Sequence, residues 1–207
     1  MTLRLNGATS GFTEIDAPAV AGSNTLVLPG GNGSADQALI TNGSGTLSFA
    51  DRGRMVLETA QSATGTEVDF TSIPSWVKRV TVMFAGVSTN GASNPLFQLG
   101  AGSVQSSGYL CASGVISTPN TTNAANYTTG FGILSGAGAN VIHGSCTFSL
   151  IGSNVWAWSM TMGLSTNTNP FYGAGSVTLS GTLDRVRITT VNGTDTFDAG
   201  TINIMYE

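Results

Sequence analysis

The chain has 207 residues, of which only 9% are charged, and its formal net charge at pH 7 is −4. Its seven basic residues fall mostly in separated pairs, which excludes an extended basic surface for nucleic acid. The hydrophobic fraction of 41% excludes a disordered chain, and the 28 glycines follow no three-residue period, which excludes collagen. A folded domain with a hydrophobic core is therefore expected.

The first residues lack the basic stretch and apolar core that mark a classical signal peptide. No apolar run approaches the ~18 residues of a membrane-spanning helix. We therefore expect neither a secretion signal nor insertion into a membrane.

Residues 1–51 contain short apolar couplets separated by Asn, Gly and Ser. The couplets are Leu3/Leu5, Leu26/Leu28, Leu39/Ile40 and Leu47/Phe49. So few large apolar residues cannot offset the entropy of ordering this segment alone. Several copies that pool their couplets could form one shared core, which predicts a homo-oligomer. Residues 51–54 are the expected junction with the next domain.

Residues 52–207 repeatedly alternate apolar and polar side chains, which is typical of half-buried β-strands. In Val155–Met162, one face carries Trp156, Trp158, Met160 and Met162, and we expect the two tryptophans in a sandwich core or between subunits. The same alternation recurs in Trp76–Phe84, Cys146–Leu150, Leu183–Val191 and Ile202–Tyr206. Turn sequences such as Asn-Gly separate these segments. The predicted fold is all-β, an antiparallel, jelly-roll-like β-sandwich over residues 52–207.

From Val80 to Leu183 the sequence contains no Asp, Glu, Lys or Arg. Charged side chains normally keep surfaces soluble and prevent strand edges from pairing with other chains. Their absence over half of the chain predicts a surface for assembly or contact.

The residues that could carry catalysis are few. A glycosidase needs two carboxylates across the scissile bond. The candidates are Glu58, Glu67, Asp69, Asp184, Asp195 and Asp198. Nothing in their spacing requires a pair, and Asp195 and Asp198 lie in a sequence typical of turns. We therefore predict no enzymatic activity, no catalytic residue and no cofactor.

His143 is the only histidine, and Cys146 follows it by three residues. A metal site needs three or four ligands, and no others lie nearby in the sequence. We expect a packed or surface histidine, no metal, and buried free thiols at Cys111 and Cys146.

Exposed aromatic side chains in loops are the candidates for contact with a receptor. The residues 165–175 combine Phe171 and Tyr172 with Asn, Pro and Gly, which predicts a loop tip. The receptor-contact candidates are Tyr172, Phe171, Asn169, Asn167 and Tyr127, and Tyr109 and Phe131 are further loop aromatics.

The run APAVAGSNTLVLPGGNGSADQALITNGSGTLSFAD (Ala17–Asp51) resembles the N-terminal segment of many bacteriophage tail-fibre proteins, with Phe49 where tryptophan is usual. Ala63–Gly91 and Ser176–Glu207 resemble a second phage-associated pattern. The resemblance implies a homotrimeric, β-structured virion protein that presents its distal domain to a host surface.

These observations together predict a tail fibre, made in the host cytoplasm and carried on the virion. Residues 1–51 would trimerise and attach to another virion protein, and residues 52–207 would bind a host cell-surface glycan or protein multivalently. The first alternative is a capsid decoration, cement or head-fibre protein. The second is a polysaccharide-degrading tailspike.

Overall fold

The computed structural model describes residues 3–50, 53–117, 121–135, 138–166 and 169–207. Over these ranges the secondary structure consists of strands, turns and bends, without a helix. Every pair of strands is antiparallel, so the prediction of an all-β, antiparallel fold is confirmed. The chain divides into two compact units, Met1–Arg54 and Met55–Glu207. The predicted junction lies partly outside the described residues.

The first unit begins with a hairpin of strands β1 (Leu3–Asn6) and β2 (Phe12–Ile15). Leu3 is paired with Ile15, so the alternation of side chains places Leu3, Leu5 and Ile15 on one face. These three side chains are 58%, 54% and 62% exposed. On the opposite face Arg4 Nε donates to Glu14 Oε1 at 2.6 Å. The same face carries Phe12, which is 57% exposed and whose ring centroid lies 4.0 Å from Arg4 Cζ. The hairpin therefore has one mixed face and one apolar face that this unit leaves uncovered.

A second hairpin follows, made of β3 (Ala38–Thr41) and β4 (Leu47–Ala50). Phe49 is partly buried and lies against Gly33, whose φ is +69°. A Cβ atom on Gly33 would lie 2.6 Å from the Phe49 ring. Glycine is needed there because of both the backbone conformation and the close contact.

Fourteen strands lie in the described residues of the second unit. They are β5 (Val56–Leu57), β6 (Gln61–Ser62), β7 (Val68–Thr71), β8 (Arg79–Thr89), β9 (Pro95–Ala101), β10 (Ser103–Val104), β11 (Leu110–Ser117), β12 (Thr121–Tyr127), β13 (Phe131–Gly132), β14 (Ile142–Gly152), β15 (Val155–Leu164), β16 (Pro170–Thr178), β17 (Arg185–Thr190) and β18 (Phe197–Tyr206). Alternating apolar residues and intervening turn sequences explain most of them.

These strands form two sheets around one hydrophobic core. The smaller sheet has the order β10-β9-β17-β7, with β13 also paired to β9. The larger sheet has the order β12-β11-β16-β15-β14-β8-β18-β5, with β6 also paired to β18. Phe97 of the smaller sheet and Phe148 of the larger one are in aromatic contact, their ring centroids 6.0 Å apart. The inner faces of the two sheets thus supply a common core.

Strand β15 supplies the largest side chains of this core. Trp156, Trp158, Met160 and Met162 are at most 4% exposed, which confirms the predicted inward face. The Trp158 ring is stacked on Phe131 at a centroid distance of 5.1 Å. Burial of such aromatic area is a major source of stability.

The N-terminal end of the segment Trp76–Phe84 differs from the prediction. Strand β8 begins only at Arg79, and Trp76 lies in a turn in which the Val77 amide donates to the Pro74 carbonyl. The Trp76 ring instead packs on Tyr206, with ring centroids 5.8 Å apart. Pro74 favours a turn at this position. The strand therefore begins after the turn, although the alternating pattern already includes Trp76.

Candidate binding face

The outward side chains of β11, β12, β14, β15 and β16 form a continuous surface without a carboxylate, an ammonium or a guanidinium group. We call this surface the neutral face. Its central row crosses four strands: Ser145 is paired with Thr161, Thr161 with Tyr172, and Tyr172 with Gly114. Because these strands alternate between core and surface residues, Ser, Thr, Ala and Gly dominate the exposed side. Larger exposed groups on this face are Leu110, Ile116 and Ile151, and His143 adds an imidazole. The face therefore offers hydroxyl and apolar groups, without an Asp, Glu, Lys or Arg side chain.

Tyr172 is the large aromatic side chain of this row, and it is 46% exposed. Its ring lies against Gly114: a Cβ atom there would be 2.9 Å from Tyr172 Cζ and from the hydroxyl oxygen. A larger residue at position 114 would push the ring away from the sheet. The exposed part of a tyrosine held in this way combines an apolar ring with a polar hydroxyl, a pairing suited to recognition.

The neutral face ends at β12, which is paired with β11 on one side only. Its sequence, Thr-Thr-Asn-Ala-Ala-Asn-Tyr, has no charge and no proline, the residues that usually protect an edge strand. The opposite end of the larger sheet carries only the two-residue strands β5 and β6. Among the described strands, β12 is thus a long and unprotected edge next to the neutral face.

The structure places the predicted receptor-contact residues in different environments. Tyr172 and Phe171 lie in β16, and the prediction of a loop tip at these two residues is wrong. Phe171 points inward and is 1% exposed. Asn169 is partly buried just before β16, and its carbonyl accepts the Leu164 amide at 3.3 Å. Asn167 lies outside the described residues.

The glycines of β16 explain why its sequence resembles a loop. Gly173 and Gly175 occupy inward positions of the strand. A Cβ atom on Gly173 would lie 2.7 Å from the Trp158 ring, and one on Gly175 would lie 2.2 Å from the Leu110 carbonyl oxygen and 3.0 Å from the Phe131 ring. These glycines therefore make room for neighbouring aromatic rings within a strand. Glycine content alone could not distinguish this role from that of a turn.

The other predicted loop aromatics also belong to the core. Tyr127 is 8% exposed, and its hydroxyl accepts a hydrogen bond from Asn94 Nδ2 at 2.9 Å. Tyr109 is 1% exposed, and its hydroxyl accepts the Leu99 amide at 2.8 Å. Burial raises the pKa of Tyr109 to about 12. Phe131 is fully buried, so the prediction of exposure is wrong for all three.

The candidate carboxylates lie in separate polar contacts. Asp184 pairs with Arg185 at 2.7 Å, and Glu58 accepts the Tyr206 hydroxyl at 2.7 Å. Asp198 lies in β18, so the prediction of a turn is wrong for this residue, and it accepts a hydrogen bond from the Ser88 hydroxyl. Asp195 lies in the connection between β17 and β18, just after a turn at residues 191–192. Its two oxygens accept hydrogen bonds from the Asn192 side-chain amide and the Ser93 backbone amide, which lower its pKa.

Glu67 and Asp69 share one guanidinium group. Arg187 Nη1 lies 2.5 Å from Glu67 Oε2, and Arg187 Nε and Nη2 donate to the two oxygens of Asp69 at 2.8 and 2.6 Å. Arg187 is far from Glu67 and Asp69 in the sequence, and the pairing of β7 with β17 brings them together. The sequence alone therefore did not predict this cluster. The lack of enzymatic activity stays a prediction.

His143 and Cys146 point to opposite faces of β14, because they are three positions apart and side chains alternate along a strand. The exposed His143 accepts the Gly86 amide through Nδ1 and lies 3.2 Å from the Ser165 hydroxyl through Nε2. Cys146 is buried and free, and burial raises the pKa of its thiol to about 12. Cys111 is also a buried free thiol, as predicted. The described part of the chain contains no cluster of three or more potential metal-ligating side chains.

Comparisons with protein-family models, curated proteins and solved structures give no match to this chain. In the ranges that the structure covers, no helix is long and apolar enough to cross a membrane.

Proposed function

We propose that the chain is a bacteriophage tail-fibre protein that adsorbs the virion to the host surface through the neutral face. The observation that carries the proposal is the exposed Tyr172 ring, which is supported by Gly114 and surrounded by uncharged hydroxyl and alanine side chains. The resemblance of Ala17–Asp51 to tail-fibre segments supports the virion assignment. No catalytic step is needed for this function, which is adhesion to a host glycan or protein.

The proposed assembly is a homotrimer with jelly-roll-like distal domains. The apolar face of the β1–β2 hairpin supports it, because Leu3, Leu5 and Ile15 are each more than half exposed within one chain. Contact among three hairpins would remove this area from water. Burial of apolar surface stabilises an assembly by about 25 cal/mol per Å². The opposite face, with the Arg4–Glu14 ion pair, would remain outside. Other residues of the same unit would attach the trimer to another virion protein.

Trimerisation gives the neutral face its functional strength. Contacts made by hydroxyls and one aromatic ring are individually weak, but linked sites raise the effective concentration for each later contact. Avidity then exceeds single-site affinity by about 10²–10⁴-fold when the geometry allows simultaneous binding. This arrangement would allow adhesion without ion pairs between the neutral face and the host surface.

Competition for phage adsorption tests the proposal. The purified chain should inhibit adsorption of the phage that encodes it, and Tyr172→Ala should raise the inhibitory concentration by about tenfold or more. Leu57→Ala is the control, because Leu57 is a 63% exposed apolar residue of β5, at the opposite end of the larger sheet and outside the neutral face. Equal inhibition by both variants would contradict the role of Tyr172.

Two further assays, run beside the competition experiment, separate the alternative functions. Binding of the chain to expanded capsid shells, with no inhibition of adsorption, would identify a capsid decoration or head-fibre protein instead. Release of reducing ends from host polysaccharide would identify a tailspike.

A further inference from the structure

A polar cleft of about 410 Å³ lies on the smaller sheet, outside the neutral face. Arg187 of β17 and Gln98 of β9 are paired with each other and line the cleft. Asp69 of β7 is paired with Arg187 on its other side and supports it from outside the lining. Glu67, Ser106 and Thr129 contribute to its lining. The volume lies within the range of about 300–1,000 Å³ that is common for small-molecule sites.

The polar groups of the lining are held in place before any ligand arrives. Asp69 fixes the Arg187 guanidinium by two hydrogen bonds, and Glu67 contacts its remaining terminal nitrogen. Gln98 is 9% exposed, and its Nε2 donates to the Thr129 carbonyl at 2.9 Å, which fixes the direction of its Oε1 acceptor. A site whose side chains are already ordered loses little conformational entropy on binding.

The chemistry of the lining selects the class of ligand. Two carboxylates accompany one guanidinium group, so the cluster has a net charge of −1 and disfavours anions. The guanidinium in turn disfavours a metal cation. Arg187, Gln98, Ser106 and Thr129 together present both donors and acceptors, and Leu96 adds an apolar contact. A neutral molecule with many hydroxyl groups satisfies all of these conditions.

We propose that this cleft binds a neutral sugar residue. The proposal goes beyond the adhesion described above, because the cleft lies on the other sheet and does not involve Tyr172. It also holds for a chain that is not a tail fibre, since it depends only on the lining of the cleft.

Ligand-observed saturation-transfer NMR on the full chain tests the proposal. The probes are the methyl glycosides of glucose, galactose and mannose, together with N-acetylglucosamine. N-acetylneuraminic acid is the anionic comparison. We expect at least one neutral probe to bind with a Kd of about 1–10 mM, and the acid to bind more weakly.

Adjacent serines offer a matched pair of variants. Ser106→Trp introduces a bulky ring into the lining, whereas Ser107→Trp places the same ring on a neighbouring exposed residue outside it. We expect Ser106→Trp to abolish the transfer signal and Ser107→Trp to leave the Kd within about twofold. Thr129→Val removes one hydroxyl at constant shape, and it should weaken binding by about threefold to tenfold.

Three outcomes would overturn the proposal. They are the absence of a signal from every neutral probe at about 10 mM, a signal that Ser106→Trp leaves unchanged, and tighter binding of the acid than of the neutral probes. A signal lost in Tyr172→Ala but kept in Ser106→Trp would place sugar binding on the neutral face, which would reject the cleft and support the proposed adhesion. Inhibition of phage adsorption without any sugar signal would likewise reject the cleft alone.

Discussion

Gly173 shows how one missing side chain shapes the core. A Cβ atom on residue 173 would lie 2.7 Å from the Trp158 ring, and the same ring is stacked on Phe131. Protein cores are close-packed, so the ring has little room to move away. The position of Trp158 therefore depends on glycine at residue 173.

Gly173→Ala should lower the free energy of unfolding by about 1–3 kcal/mol, because the added methyl group overpacks the core. Gly163→Ala is the matched control, since a Cβ atom on Gly163 meets nothing within 4 Å. Urea denaturation followed by tryptophan fluorescence measures both variants. Equal stability of the two would show that the core accepts the methyl group by relaxation.

The two thiols should be unreactive in the folded protein. Burial raises the pKa of Cys146 to about 12, and it also raises the pKa of Cys111. The reactive thiolate is therefore scarce at pH 8. A chromogenic thiol-exchange reagent should titrate both cysteines in denaturant but neither within minutes in the native state. Rapid native labelling of Cys146 would contradict its burial.

At the scale of elements, alternation predicted strands well where core residues are large. Trp156, Trp158, Met160 and Met162 defined the inward face of β15 correctly. Alternation failed for β16, where Gly173 occupies an inward position in place of a side chain. The neutral face could not be derived from sequence, because its central row depends on the register of four strands.

Asp195, in the loop between β17 and β18, accepts a hydrogen bond from Ser93, in the loop between β8 and β9. The stability that this link contributes should depend on pH. Hydrogen bonds from Asn192 and Ser93 lower the pKa of Asp195, so its charged form is favoured in the folded state. A lowered pKa contributes stability that is present above the unfolded-state value of about 3.9 and is lost as the pH falls toward the folded value. Asp195→Ala should therefore reduce the Tm at pH 7, and the difference from wild type should shrink below pH ~4.

Thermal unfolding monitored by circular dichroism between pH 7 and pH 3 measures this difference. Asp16→Ala provides the control for removal of an exposed aspartate from the other unit. A Tm difference for Asp195→Ala that is constant over this range would show that its carboxylate charge has no part in the link.

At the scale of the whole molecule, the proposed trimer depends on a small apolar surface. Leu5→Ser should shift the mass measured by light scattering from that of three chains toward that of one, 21.0 kDa. Asn6→Ser is the control, because Asn6 neighbours Leu5 but points to the opposite face of the hairpin. A wild-type chain that is monomeric at micromolar concentration would refute the trimer itself.

Adhesion through the neutral face should resist salt. Raising the ionic strength from about 0.15 to 1 M shortens the Debye length from about 8 to 3 Å, which weakens contacts between exposed charges. The neutral face has no such charges, so the concentration of the chain that inhibits adsorption should change less than about twofold. A strong loss of inhibition in high salt would indicate that charged residues elsewhere make the contact.

The alternation of side chains along these strands also separates the residues that maintain the core from the residues that form the neutral face. Trp158 and Met160 maintain the core, whereas Ser159 and Thr161, between and beside them, point outward. In the proposed tail fibre, substitutions at these outward positions would alter what the fibre recognises while leaving the interior unchanged. The proposed function thus implies that host range can change through every second residue of a few strands, on a scaffold that stays constant.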